Sequence, residues 1–388
     1  MNKENITKEE DKKIRNFFID SLNGMAYGLF ATLIIGTIFA TIGTFFNYGK
    51  GNPFCDFMVT IIGTGNSGIS YILQILTGAG IGIGIAISLK LKPLQTIVLA
   101  AVGEAAAYFS LSTIFVSDSS HPFTDMFKIG DPLTIYLVCI VVAFTFKLLF
   151  KKKTSADIIL IPLLGIIIGL CVSLLVRFPA IYVTYGIQWL VNSGTQAVPF
   201  VMGIVVAVLM GMTLTAPISS AAICASFGLV GLAGGAAVAG CCAQMVGFAV
   251  MSYKENKVGG LISQGIGTSM LQMPNIVKNP KIWIAPTLAS AITGPIATCV
   301  FGLQMNGAAI NSGMGTCGLC GPIGVITGWF SPSDAAVAKD LVALAPSAKD
   351  WIGLALVCVV LPAILSFIFC EVERKIGWIK ENDLKLPE

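Results

Sequence analysis

The chain has 388 residues, of which 55% are apolar and 11% charged, with a net charge of +4 and a mean hydropathy of +0.85. Soluble domains carry roughly 25% charged residues, so a water-soluble globular fold is excluded. The basic residues are spread over short loops and form no nucleic-acid patch, and the continuous apolar runs lack the alternation a membrane β-barrel needs.

Residues 1–20 read as a charged cytoplasmic segment, carrying Lys3, Lys8, Lys12, Lys13 and Arg15. The apolar run that follows is too long for the core of a cleavable signal. Apolar runs lie at 25–46, 57–89, 93–116, 133–150, 158–176, 197–214, 219–251, 283–303 and 351–369. A spanning helix needs about 20 residues, so 57–89 and 219–251 imply a tilt, a break or an added half-helix. Stretches 178–253 and 282–333 contain no Asp, Glu, Lys or Arg at all. The expected fold is all-α and polytopic, with about eight to ten transmembrane helices and re-entrant or broken segments. Residues 21–371 form the membrane domain, and 372–388 a cytoplasmic C-terminal tail.

Lys147 and Lys151–Lys153, with Lys90, Lys92, Lys254, Lys257, Lys278 and Lys281, mark cytoplasmic loops, whereas the stretch 117–131 carries three Asp and only Lys128. By the positive-inside rule the chain is a multi-pass protein of the cell (inner) membrane with both termini cytoplasmic. The parity of crossings through 178–253 stays open: 181–190, with Tyr182, Tyr185 and Trp189, is either an interfacial helix or the start of a span.

Two irregular stretches stand out. Residues 258–277 (VGGLISQGIGTSMLQMPNIV) are flanked by lysines on both sides and read as a re-entrant hairpin. Residues 305–328 include NGAAINSGMGTCGLCGPIG. Irregular backbone at membrane depth survives only inside protein or beside a water-filled cavity, where freed N–H and C=O groups bind polar solutes. The glycines themselves serve either ligand approach or tight helix packing. A Gly/Ala-rich helix, basic loop and second segment recur at 77–104 and 232–265, which suggests an internal repeat.

Among residues that carry chemistry, Glu104 is the only ionisable group between Lys92 and Asp118. A charge at the bilayer centre costs about 2.5–3.5 kcal/mol on insertion scales, so it faces protein or water. It either contacts substrate or a coupled proton, or bonds neighbouring helix ends as a structural carboxylate. A second set comprises Asn66 and Ser67, then Gln264, Thr268, Ser269, Gln272, Asn275, Asn306 and Asn311. Amides offer donors and an acceptor, which suits a neutral polyhydroxylated ligand. The candidate substrate-binding residues are therefore Glu104, Asn66, Gln264, Thr268, Gln272, Asn275, Asn306 and Asn311. Cys317 and Cys320 form a lone CxxC with no second pair or nearby His, so they read as structural thiols. His121 is the single histidine. No catalytic constellation, metal site, cofactor motif or phosphate-binding loop is visible, and an enzyme reading has no support.

From Gly211 onward the strings LTAPISSAAICA, GCCAQMVGFAVMSYKEN, GGLISQGIGTSMLQMPNIVKNPKIWIAPTLASAITGPIAT and GMGTCGLCGPIG resemble the PTS-type EIIC membrane proteins related to the perfringolysin regulator PfoR. The resemblance implies a sugar permease of the phosphoenolpyruvate phosphotransferase type, a homodimer holding its sugar among irregular membrane segments. Separate IIA and IIB proteins then supply any phosphorylation, since the cytoplasmic histidine and soluble-domain cysteine of those components are not in this chain. The alternative is a membrane regulator that senses a ligand without net transport.

Overall fold

The computed structural model describes residues 3–386 apart from 48, 50, 65–66, 112–130, 151–153, 155 and 227. The described part is helical throughout, with a single isolated bridge between Gly231 and Met305 in place of any strand. In chain order the helices are α1 (Lys3–Leu29), α2 (Ile35–Asn47), α3 (Pro53–Ile62), α4 (Gly68–Ile75), α5 (Thr77–Ser88), α6 (Pro93–Leu111), α7 (Pro132–Leu149), α8 (Asp157–Thr195) and α9 (Pro199–Thr215). They continue as α10 (Ser220–Ser226), α11 (Gly231–Met251), α12 (Tyr253–Ile262), α13 (Met273–Lys278), α14 (Ile284–Pro295), α15 (Cys320–Phe330), α16 (Asp334–Val337), α17 (Ala348–Ala355) and α18 (Leu361–Ile376).

Six helices among the described residues are long and apolar enough to cross a bilayer, and seven if α4 and α5, bent by 50° at Leu76, count as one broken span. Four shorter apolar helices lie at Pro53–Ile62, Pro93–Phe109, Pro199–Thr215 and Cys317–Phe330; added to the six they make ten, the upper end of the expected eight to ten, and added to the seven they make eleven. The polytopic all-α class with broken segments thus holds. The open stretch 181–190 continues α8, which runs for 39 residues with Pro162 and Pro179 inside it. At 1.5 Å per residue that is about 58 Å, well beyond a hydrocarbon core of about 30 Å. Tyr182, Tyr185 and Trp189 are all exposed on it.

The described residues fall into two compact units, one from 1–36 and 66–181, the other from 37–65 and 182–388. In the first unit the alternating glycines of TGAGIGIGIA explain themselves. On α5, Gly80 and Gly84 lie against Gly28 and Gly24 of α1, while Gly78 and Gly82 lie against Gly103 and Leu99 of α6. Residues four apart share a helix face and residues two apart face opposite ways, so one GxGxGxG string builds two close-packing seams. Ile81, Ile85, Leu99, Ile135 and Cys139 fill the core between α5, α6 and α7, and are fully buried.

The second unit packs α11 at its centre. Close backbone approaches there use small residues: Gly240 of α11 meets Ala207 of α9, and Gly203 of α9 meets Gly294 of α14. Gly247 of α11 faces Ser366 of α18 and Pro286 of α14. Val238, Ala239, Cys242, Val357 and Cys358 close one end of this core, and Phe248, Met251, Ile282 and Ala285 the other.

Candidate functional site

The hairpin expected at 258–277 is an interrupted helical excursion in the second unit. α12 breaks at Lys257, whose φ of 52° and ψ of −147° are a conformation almost reserved for glycine. The chain then tightens into a π-turn at Ser263–Gly267, extends at Thr268, and returns through a 3-10 turn (Ser269–Gln272) into α13. Thr268 caps the returning turn by accepting from the Met270 N–H at 3.2 Å.

The hairpin amides form one buried chain. Gln264 donates to Ser252 Oγ at 2.7 Å and its Oε1 accepts from Gln272 Nε2 at 2.9 Å. Gln272 in turn accepts from Asn275 Nδ2 at 2.8 Å. The remaining donors meet main-chain carbonyls near the other end of the sequence: Gln272 reaches Leu384 O at 2.9 Å and Asn275 reaches Lys385 O at 2.8 Å. The structure thus brings Gln264, Gln272 and Asn275 together, and each amide is engaged by the protein itself.

At the hairpin turn a second network gathers the ends of broken helices. Ser269 Oγ pairs with Thr215 Oγ1 of α9 at 2.8 Å, and Thr215 donates to Gln244 Oε1 of α11 at 3.2 Å. The Trp283 indole N–H also donates to Gln244 Oε1, at 3.0 Å, and Gln244 Nε2 reaches Thr287 at 3.2 Å. Sequence reasoning missed Gln244, Thr215, Trp283 and Thr287. Gln244 carried a signal, because it is the only amide in the otherwise Gly/Ala/Cys-rich α11.

The Gly-rich segment behaves differently. After α14 the chain turns through Gly302 and runs extended, with the Gly231 N–H donating to Met305 O at 2.8 Å and the Met305 N–H to Gly231 O at 3.0 Å. Asn306 is fully buried; its Nδ2 has only long bonds, 3.3 Å to Gln304 Oε1 and 3.5 Å to Val342 O, and its Oδ1 has no partner. Thr316, 3% exposed, likewise has a hydroxyl without a partner. Asn311 is half-buried on the 3-10 turn Ala309–Gly313, beside Gly324 of α15.

Gly315, Gly318 and Leu319 then all adopt positive φ, and the Cys317–Leu319 turn packs on the hairpin π-turn. Gly315 has a second constraint, since a Cβ there would lie 2.7 Å from the Cys241 carbonyl carbon. Cys317 and Cys320 are buried free thiols, and Cys320 Sγ sits 3.1 Å from Thr41 Oγ1.

In the first unit, half-buried Glu104 on α6 accepts the Ala79 N–H at 3.0 Å. Ala79 is the third residue of α5, just past the 50° break, so the carboxylate satisfies a donor that a helix start leaves free. The close approach of Gly103 to Gly78 sets its neighbour Glu104 at that point. Asn66 lies outside the described residues.

A family model described as the phosphotransferase system, EIIC, matches residues 19–386, nearly the whole chain. The chain belongs to the EIIC family. No curated protein and no solved structure matches it. As an EIIC protein it is a multi-pass permease component of a sugar phosphotransferase system, a transporter subunit. In this EIIC chain the irregular elements around α11, namely the hairpin, the start of α14 and the segment after it, are those where polar groups gather within an apolar helical body.

Proposed function

We propose that this EIIC protein is a cell-membrane permease for a neutral polyhydroxylated solute of the sugar class, with both termini cytoplasmic. It acts as a homodimer with separate IIA and IIB proteins. The sugar is read by the Gly-rich segment, whose Asn306, Asn311 and Thr316 follow α15 from its end toward its start.

One observation carries this assignment: the contrast between satisfied and unsatisfied polar groups. The hairpin amides are committed to one another and to the chain's own carbonyls. Asn306 Oδ1 and Thr316 Oγ1 are buried without a partner. Leaving a buried polar atom unpaired costs about 1–3 kcal/mol, so such atoms in an irregular membrane segment point to a hydrogen-bonding guest. A sugar hydroxyl both donates and accepts, and serves an amide oxygen and a threonine hydroxyl alike.

The test is uptake of a labelled sugar panel into vesicles holding the purified protein, with and without phosphoenolpyruvate and the soluble phosphotransferase proteins. Asn306→Ala and Thr316→Val should each weaken the apparent affinity for the transported sugar about ten-fold or more, a loss of roughly 1.4 kcal/mol. Wild-type affinity in both variants, at wild-type protein levels, would remove the segment from the site. Sugar binding with no uptake under any condition would replace the permease by the ligand-sensing regulator.

A further inference from the structure

We propose that residues 377–386 form a releasable latch that holds the hairpin in place and, through it, the Gly-rich reading segment. α18 ends at Gly377, whose φ of 82° turns the chain back. The nine described residues that follow, 378–386, form no regular helix or strand, yet they are anchored closely. Ile379 and Leu384, 3% and 0% exposed, insert beside Phe248, Met251 and Ile276.

Their main chain is read by hairpin-base amides. Asn256 donates to Leu384 O and accepts from the Leu386 N–H, both at 2.8 Å, much as a neighbouring strand would. Gln272 and Asn275 take the Leu384 and Lys385 carbonyls, and Asn279 takes Trp378 O at 2.9 Å. These contacts read the strap's backbone, while the buried Ile379 and Leu384 side chains and the Asp383 carboxylate, which accepts from Asn279 Nδ2 at 2.9 Å, fix which segment lies there.

Two strained residues give the latch something to hold. Lys257, with its glycine-like backbone, directly follows Asn256, the residue clasped from both sides. Leu319, with φ 62°, sits in the turn that packs against the hairpin π-turn. Non-glycine residues in such conformations persist only where their surroundings over-determine them. Freeing the strap removes that constraint from Asn256 and Gln272, lets the Lys257 hinge relax, and loosens the hairpin from the Cys317–Leu319 turn. A two-state element of this sort couples a surface segment to a buried one. Its use in gating a sugar site rests on the permease reading; the latch itself does not.

The chain supplies its own reporters. Cys317 lies in the turn that packs on the hairpin and Cys320 directly follows that turn, whereas the fully buried Cys139 belongs to the first unit and Cys242 packs among Val238, Val357 and Cys358. Maleimide labelling in membranes, read cysteine by cysteine by mass spectrometry, is compared for the whole protein, for Leu384→Asp, and for a chain ended after Ile379, which keeps that buried anchor. Release should speed labelling of Cys317 and Cys320 at least ten-fold and leave Cys139 and Cys242 protected. Adding Lys257→Gly to the shortened chain should return Cys317 and Cys320 toward their original rate.

Unchanged Cys317 and Cys320 in the shortened chain would overturn the latch. So would equal acceleration at all four cysteines, which would make the strap an ordinary part of the fold. Labelling needs no transport, so failure of uptake in every chain would count against the permease while the labelling contrast still decides the latch.

Discussion

Glu104 offers the sharpest single test, because replacement by Gln and by Leu separates the role the structure displays from the role membrane physics suggests. Its carboxylate accepts the Ala79 N–H at 3.0 Å, at the first turn of α5. A hydrogen bond to a charged group contributes about 1.5–3 kcal/mol, and a negative charge at a helix N-terminus about 0.3–1 kcal/mol. Glu104 is only half-buried, so solvent screening places the whole effect near the lower end, about 1.5–2 kcal/mol. Leu at this position loses all of it. Gln keeps an amide oxygen for Ala79 and should lose about 1 kcal/mol or less.

Thermal unfolding in detergent, followed by tryptophan fluorescence, checks the order: wild type, then Glu104→Gln, then Glu104→Leu. The Leu variant should melt about 3–8 °C below wild type, at about 2–4 °C per kcal/mol for a domain of 150–250 residues. Uptake measured in parallel completes the argument. If Glu104 is a cap, Glu104→Gln transports nearly normally across pH. A Gln variant that folds like wild type but has lost uptake would refute the cap as the sole role and return the carboxylate to the substrate or proton path. A Leu variant as stable as wild type would refute the cap itself.

Two further predictions concern packing and charge in the second unit. Gly240→Ala pushes a methyl into the Ala207 backbone and should cost about 1–3 kcal/mol, whereas Gly259→Ala, with nothing within 4 Å, should melt like wild type; equal melting of both variants would show that the α9–α11 seam yields. Arg374 pairs with Glu255 at 2.7 Å with side chains 14% and 6% exposed, so Arg374→Met alone should cost about 3–5 kcal/mol by stranding a buried carboxylate, and adding Glu255→Leu should recover most of it; a double variant no more stable than the single one would show that the pair is not what these side chains contribute.

Composition made the all-α membrane class and the run of apolar helices legible, because bilayer burial acts on local sequence. The GxGxGxG string entered the sequence reading only as part of a suggested internal repeat. Its division into a face for α1 and a face for α6 required knowing which helices flank α5, a tertiary fact. The continuation of α8 through 181–190 was hidden because Pro179 and the aromatic cluster mimic a boundary, while neighbouring turns keep a proline-bearing helix intact.

The site was legible in its residue types and not in their allocation. Gln264, Gln272, Asn275 and Asn306 look equivalent in a sequence, each a neutral amide in an irregular apolar segment. What separates them is the partner each finds, and for Gln272 that partner is 112 residues away in the strap. An amide that already holds two carbonyls must break those bonds before it can bind a sugar; an amide oxygen buried alone gains a bond without losing one. That difference, invisible in composition, shifts the expected reading surface from the hairpin to the segment after α14. It also gives the hairpin another task, to transmit the state of the strap to that segment.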